Sequence, residues 1–266
     1  MYSFTFHRPE TLRQAVNMLN KNPDAKLLAG GHTLLPTMKL RLAGPPELID
    51  LSRIEGLAGI DLAGRSINIG AMTRHVDVHT SPVVQEHAPV VAKLAGMIGD
   101  PAVRHMGTIG GSIANNDPAA DYPAALLALG ATVKTNKRSI SADDFFKGLF
   151  TTALADGEII TAVSFPIPAK AGYAKFPHPA SRFALTGVFV AKTKAGDVRV
   201  AVTGASQSGV MRVAAMESAL KANWSAGALD TITIPSAGLL SDIHGSADYR
   251  ANLIKVMAQR AVAAAG

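Results

Sequence analysis

The sequence predicts an α+β fold built from three consecutive parts, and three observations support this prediction. Over residues 1–56, short apolar runs alternate with helical apolar periodicity, which indicates a small parallel β-α-β sheet. Over residues 57–168 the pattern changes to paired short strands and further helical segments, which indicates some antiparallel pairing. Residues 169–266 contain a long hairpin and two amphipathic helical patterns, which indicate a C-terminal α+β domain with an antiparallel sheet.

The first part has the order strand, helix, strand, helix, strand. Pro9 suits the first position of the first helix, and Gly44 closes the second. Strands joined by helices in this order need right-handed crossovers, so we expect one small parallel sheet. The predicted elements are a strand at 3–6, a helix between Pro9 and the "KNPD" stop at 21–24, a buried strand at 25–30, a helix at 33–44 and a strand at 47–51.

The second and third parts mix hairpins with helices. The composition of "PIPAKAG" (166–172) predicts the boundary between them. The second part is predicted to hold two short strands within 57–72, helices at about 73–80 and 88–98, a Gly-rich passage at 107–121, a helix at 123–130 and strands at 131–135 and 157–166. The third is predicted to hold a hairpin over 185–206 that turns at 195–197, and helices at 212–223 and 249–265.

The composition excludes several kinds of chemistry. The 266 residues contain no cysteine, so disulfides, thiolate catalysis and Cys-ligated iron–sulfur clusters are excluded, and redox chemistry needs a bound organic cofactor. The net charge is +6, but the basic residues are scattered, which argues against a nucleic-acid interface. The N-terminus lacks the apolar core of a signal peptide and no run of about 18 apolar residues occurs, so we expect a cytoplasmic protein without a membrane span.

Two glycine-rich passages carry the functional signal: "LLAGGHTLLPTMKL" (27–40) and "GTIGGSIANNDPAAD" (107–121). Glycine lets an anion approach the backbone closely, and successive N–H groups before a helix form an anion-binding concavity. One such loop is more often a tight turn, but two loops suit the two sides of a dinucleotide's diphosphate. Neither passage is a GxGxxG fingerprint or a Walker A loop, so the usual Rossmann and P-loop interpretations are disfavoured.

These passages resemble the FAD-binding medium subunit of the molybdenum hydroxylases, the family of the carbon monoxide dehydrogenase and xanthine dehydrogenase flavoprotein subunits. The resemblance rests on "LLAGGHTLLPTMKLRL", "ELIDLSRI", "RHMGTIGGSIANNDPAADYPAALLALGATV" and "YAKFPHPASRFALTGVFVA" and covers most of the chain. It implies a fold of the vanillyl-alcohol-oxidase/PCMH type, with two FAD-binding subdomains (1–56 and 57–168) and a C-terminal α+β domain (169–266).

The resemblance also implies a role in electron transfer. A large subunit with a molybdenum cofactor oxidises the substrate, a small subunit with two [2Fe-2S] clusters relays the electrons, and FAD, held here without a covalent bond, passes them to an external acceptor. The expected assembly is a dimer of heterotrimers, that is, a heterohexamer. A stand-alone FAD-dependent oxidase or reductase of the same fold is the alternative, and the sequence names neither the substrate nor the acceptor.

The resemblance assigns cofactor-binding residues by motif. Asp121 falls where relatives place an acidic residue near the ribityl or adenosine part of FAD, Lys175 near a lysine that approaches the flavin ring, and Phe183 where some relatives carry a flavin-facing tyrosine. The two loops that hold the diphosphate are formed by Ala29, Gly30, Gly31, His32 and Thr33, and by Thr108, Ile109, Gly110, Gly111 and Ser112.

Several residues allow more than one interpretation. His32 contacts FAD without a bond, which we favour, or forms the covalent link known in related flavin oxidases, or is a plain hydrogen-bonding or packing histidine. His75 and His79 have the i, i+4 spacing of two metal ligands, although a solvated helix face is the favoured interpretation. Asp117 and Asp121 form either a carboxylate pair or helix N-caps. Asn115 and Asn116 either line the flavin site or occupy a turn.

Overall fold

The structure is a computed structural model that describes residues 1–265. Its first part is the predicted parallel sheet. The strands and helices of this part are β1 (Thr5–His7), α1 (Leu12–Lys21), β2 (Lys26–Leu28), α2 (Leu34–Lys39) and β3 (Glu47–Asp50). The strand order is β1-β3-β2 and both pairings are parallel, as predicted. β2 therefore forms one edge of the sheet, and the first glycine passage begins at its carboxyl end.

Both helices of this part differ from the predicted bounds. Helix α1 begins at Leu12, not at Pro9, because Thr11 and Gln14 form a reciprocal capping box at its start. Helix α2 ends at Lys39, so the predicted closure at Gly44 is wrong. Arg41 adopts a left-handed backbone conformation (φ 60°), which ends the helix early.

The second part is built on an antiparallel sheet with helices between its strands. Its elements are β4 (Ile60–Ala63), β5 (Ser66–Gly70), α3 (His75–Thr80), α4 (Pro82–His87), α5 (Pro89–Gly96), α6 (Pro101–Met106), α7 (Ile109–Asn115), α8 (Tyr122–Leu129), β6 (Thr132–Thr135), β7 (Ser139–Ser141), α9 (Ala142–Phe145), β8 (Phe146–Gly148), β9 (Thr151–Thr152) and β10 (Ile160–Pro166). The five-stranded sheet has the order β4-β5-β10-β6-β7, and its pairings are all antiparallel. The antiparallel pairing predicted for this part is therefore confirmed, whereas α4, α6, α7, β7, α9 and the small β8-β9 sheet were not predicted.

The third part is an antiparallel sheet with a long helix against it. Its elements are β11 (Lys170–Pro177), β12 (Ala184–Lys192), β13 (Val198–Thr203), β14 (Met211–Arg212), α10 (Ala214–Ala222) and α11 (Ala247–Ala263). The strand order is β11-β12-β13-β14, the predicted hairpin corresponds to β12 and β13, and β11 begins within the stretch 166–172 where the boundary was predicted. A side chain at Gly172 would collide with the carbonyl oxygen of Ala261, so glycine allows the helix to approach the sheet closely.

Helix α8 joins the second and third parts. All eight of its residues are buried, and it packs against β12 and β13. A helix that is apolar on every side lies inside a core, not on a surface, so α8 is a fixed element between the two sheets. Gly130, in the left-handed conformation (φ 61°), ends it. Among the described residues, no helix is both long and apolar enough to cross a membrane.

Candidate functional site

A cleft of about 630 Å³ opens where the two glycine passages meet. This volume is in the range of small-molecule and cofactor sites. Every residue that the sequence assigned to cofactor binding lines the cleft, except Ile109, which lies in the core, and Lys175, which lies behind the wall. The predicted residues that line it are Ala29, Gly30, Gly31, His32, Thr33, Thr108, Gly110, Gly111, Ser112 and Asp121.

The first passage presents free backbone donors to the cleft. Among residues 1–265, the N–H groups from Gly30 to Thr33 donate no hydrogen bond. Gly31 has φ +72°, a conformation that glycine adopts without strain, and it turns the chain from β2 into α2. The Thr33 side chain does not cap α2, so its hydroxyl is also available. A run of unpaired N–H groups of this kind fits the oxygens of a diphosphate.

The N–H groups from Ile109 to Ser112 in the second passage are already paired, unlike the free donors that the sequence suggested. The N–H of Ile109 donates to the Thr73 carbonyl (3.1 Å) and that of Gly110 to the Ala71 carbonyl (2.8 Å). The Thr108 side chain caps α7 and accepts the N–H of Gly111 at 3.1 Å. These glycines therefore contribute close backbone packing instead of a second set of free donors.

The two passages touch each other through their glycines. A Cβ on Gly30 would collide with the carbonyl oxygen of Met106 and lie 2.7 Å from the Cα of Gly107. A Cβ on Gly111 would lie 3.4 Å from the Cβ of Ala29. Glycine is therefore needed at position 30, and at position 111 a side chain larger than alanine would enter the space between the loops.

A buried ion pair holds Asp121, which lines the cleft. Lys175 Nζ lies 3.0 Å from Asp121 Oδ1 and also donates to the Met97 carbonyl (2.8 Å), and the Tyr173 hydroxyl donates to Asp121 Oδ1 (2.5 Å). The side chains of Lys175 and Asp121 are only 2% and 4% exposed, so their charges are compensated by each other and not by water. Burial raises the pKa of Asp121, and the Lys175 ammonium opposes this shift.

The alternatives proposed for the two aspartates are resolved by their contacts. Asp121 occupies the N-cap position of α8 but its side chain makes no capping bond there, so the capping interpretation is wrong for this residue. Asp117 accepts the N–H of Ala119 (2.9 Å) within a turn before that helix. Neither aspartate bonds to the other, and Asp121 is engaged by Lys175 and Tyr173.

His75 lies in the cleft beside Gly107, and the sequence did not assign it to the site. Its ring is buried, and among the described residues its Nδ1 has no hydrogen-bond partner. A Cβ on Gly107 would lie 2.6 Å from its Nε2. Burial, with smaller contributions from the nearby charges of His32 and Arg104, lowers the pKa of His75 to about 4. The imidazole is therefore neutral near pH 7 and keeps hydrogen-bonding capacity at the cleft.

The favoured interpretation of His75 and His79 as a solvated helix face is wrong for His75. Only His79 is exposed, and its Nδ1 lies 2.9 Å from the Ala92 carbonyl oxygen. No group of three or more His, Cys, Asp or Glu side chains in the described part of the chain is placed to hold a metal ion.

We expect the lowered pKa of His75 to give a pH-dependent stability. The folded pKa of about 4 lies below the ordinary value of 6.5, so the unfolded chain binds a proton that the folded chain does not. The stabilisation is present above pH 6.5 and is lost as the pH falls towards 4. Between about pH 7 and pH 4.5, wild type should lose about 2–3 kcal/mol more unfolding free energy than His75→Gln in urea denaturation. His79→Gln is the matched control, and equal pH slopes for wild type and His75→Gln would contradict the expectation.

Comparison with known proteins gives the class of protein to which this fold and cleft belong. Residues 2–168 match the family model described as the FAD binding domain in molybdopterin dehydrogenase. The match covers more than half of the chain, so the chain belongs to this family of FAD-binding oxidoreductase components, and the family predicted from the sequence is confirmed.

Individual relatives agree along the whole chain. The nicotine 6-hydroxylase medium subunit of Paenarthrobacter nicotinovorans is 36% identical over 97% of this chain and 95% of that protein. The carbon monoxide dehydrogenase medium chain of Hydrogenophaga pseudoflava is 35% identical over 98% of this chain and 96% of that protein. A solved chain of reconstituted CO dehydrogenase from Oligotropha carboxidovorans superposes with a TM-score of 0.90 at 34% identity, over 99% of this chain and 98% of that chain. The predicted α+β fold is therefore confirmed.

Proposed function

We propose that this chain is the FAD-binding electron-transfer subunit of a cytoplasmic, multi-subunit molybdenum hydroxylase. In this proposal it binds FAD without a covalent bond and works with a large subunit that carries the molybdenum cofactor and a small subunit that carries [2Fe-2S] clusters, in a dimer of heterotrimers. Relatives named as medium chains or medium subunits of such dehydrogenases and hydroxylases, similar over nearly their full length, support this assembly. Division into 1–56, 57–168 and 169–266 is part of the same proposal.

The observation that carries the proposal is the run of unpaired N–H groups from Gly30 to Thr33, which line a cleft whose other loop presents Gly110 and Gly111. Donors of this kind suit the oxygens of the FAD diphosphate. Bound FAD supplies the ability to accept and release electrons. The protein's own contribution is to bind and orient the cofactor.

Each wall of the cleft has its own part in that orientation. The first loop binds the diphosphate, and the second loop, held by α7 and by its backbone bonds to the residues after β5, fixes the opposite side. Two further polar groups have defined positions. The carboxylate of Asp121 is paired with Lys175, and the imidazole of His75 is neutral. No residue in this arrangement is assigned a proton-transfer step.

We expect the purified chain to bind FAD without a covalent bond. The test is to mix it with excess FAD, desalt it, record the visible spectrum and then precipitate the protein with acid. Flavin bands on the protein and FAD in the acid supernatant are the expected results. Riboflavin is the control ligand, because it lacks the diphosphate and should be lost on desalting.

Two outcomes would contradict this expectation in different ways. Flavin that stays in the acid pellet would indicate a covalent link and would favour His32 as its site. A chain that neither retains FAD nor quenches its fluorescence in titration would contradict FAD binding by this subunit. A substrate that reduces the flavin of the isolated chain directly would favour the stand-alone oxidase or reductase instead.

A further inference from the structure

Phe150 has a backbone conformation that a bulky residue rarely adopts. It lies between β8 and β9 with φ +52°, in the left-handed region where a side chain meets its own backbone. The residue is 60% exposed, so packing inside the protein does not compensate for this unfavourable conformation. Strained residues that persist in a fold are held by their surroundings and cluster at functional sites.

The conformation of Phe150 is imposed by Asn116, the C-cap of α7. The buried Asn116 side chain donates to the carbonyls of Gly148 (2.7 Å) and Thr151 (2.9 Å), on the two sides of Phe150. The Asn116 carbonyl accepts the N–H of Phe150 at 3.1 Å. Three hydrogen bonds with Asn116 therefore fix the turn between β8 and β9 that carries Phe150. This turn is called the tip below.

Phe150 lines the cleft at the opposite end of α7 from Gly110 and Gly111. It lies there with Ala114 and Asn115, near the carboxyl end of the helix, whereas the two glycines lie in its first turn. Helix α7 has seven residues, so its two ends lie about 10 Å apart. An exposed aromatic side chain that lines the same cleft as the two loops, one helix length from the second of them, is placed to meet a planar ring attached to a bound diphosphate.

We propose that Phe150 packs on one of the two aromatic ring systems of bound FAD and that the strained tip is kept for this contact. The inference rests on the proposed FAD-binding function and adds a residue that the sequence motifs did not assign. Stacking of a base on an aromatic side chain is lost on truncation to alanine, with an effect on affinity of about 5- to 100-fold.

The experiment compares ligand affinities of the full chain and its variants by fluorescence titration and calorimetry. Phe150→Ala should raise the Kd for FAD by about 5- to 100-fold, whereas Phe150→Tyr, which keeps the ring, should stay within about twofold of wild type. The matched control is Phe6→Ala, since Phe6 is 48% exposed on β1 and does not line the cleft. Because Phe150 is exposed, Phe150→Ala should remain folded.

ADP identifies which ring Phe150 contacts. If Phe150→Ala weakens ADP as well as FAD, the contact is with adenine. If it weakens FAD alone and raises the fluorescence of the bound flavin, the contact is with the flavin ring. An unchanged Kd for FAD, with wild type binding normally, would overturn this inference alone. A wild-type chain that binds no FAD would overturn the proposed function as well.

A stability measurement tests the strain separately. Glycine adopts φ +52° without the penalty that alanine retains, so Phe150→Gly should melt about 2–4 °C above Phe150→Ala. Equal melting temperatures would overturn the claim that the tip is strained.

Discussion

Lys175→Met is expected to lower the free energy of unfolding by about 3–5 kcal/mol at pH 7, because it leaves the Asp121 carboxylate buried without its cation. Asp121 would keep the Tyr173 hydroxyl as a hydrogen-bond donor, but a hydroxyl does not neutralise the charge. The Met97 carbonyl would also lose its donor. Urea denaturation of wild type and variant gives the difference directly.

A matched exposed pair provides the control. Lys221 lies 3.2 Å from Asp197, with side chains 63% and 68% exposed, so Lys221→Met should change the stability by less than about 1 kcal/mol. The double variant Lys175→Met with Asp121→Asn should recover part of the loss, since it removes the uncompensated charge. A Lys175→Met variant as stable as the Lys221→Met control would contradict the role assigned to the buried pair.

The loss of unfolding free energy in Lys175→Met should also depend on pH. Burial already raises the pKa of Asp121 in wild type, and loss of the ammonium raises it further. A carboxyl whose folded pKa lies above its unfolded value costs stability as the pH rises through the folded pKa, so the deficit should shrink in acid.

Local patterns in the sequence predict the parts of this fold that depend on neighbouring residues. The parallel sheet follows from alternating strand and helix patterns, and the hairpin of β12 and β13 from the turn at Gly196. Helix α2 is the exception. Leu40 and Leu42 continue an apolar helical pattern, yet they are 71% and 77% exposed and lie beyond its end. Apolar periodicity alone does not show that a face is buried.

The details of the site depend on contacts between distant residues, which a single sequence does not show. Asp121 and Lys175 are 54 positions apart, and nothing local to either residue indicates that they pair. The N–H groups of Ile109 and Gly110 look free in the sequence, but the residues after β5 accept them. The glycine motifs indicated where the cleft lies. Which glycines expose donors and which allow close packing became visible only from the three-dimensional contacts.

Gly111→Val is expected to raise the Kd for FAD by about 10- to 100-fold, because the new side chain would enter the space between the two loops. Its Cβ would lie 3.0 Å from Thr108 Oγ1 and 3.4 Å from the Cβ of Ala29. Gly31→Val should weaken binding too, but less informatively, since φ +72° at Gly31 makes any side chain strain the backbone.

The control for Gly111→Val is Gly227→Val, where the nearest atom to a Cβ is Asp230 Oδ2 at 3.8 Å and the site is outside the cleft. Fluorescence titration with FAD should separate the two variants, and thermal unfolding shows whether each is folded. If folded Gly111→Val binds FAD as tightly as Gly227→Val does, the diphosphate cannot lie between the loops. Binding would then depend on the first loop alone, whose free N–H groups from Gly30 to Thr33 do not require the second loop to be close.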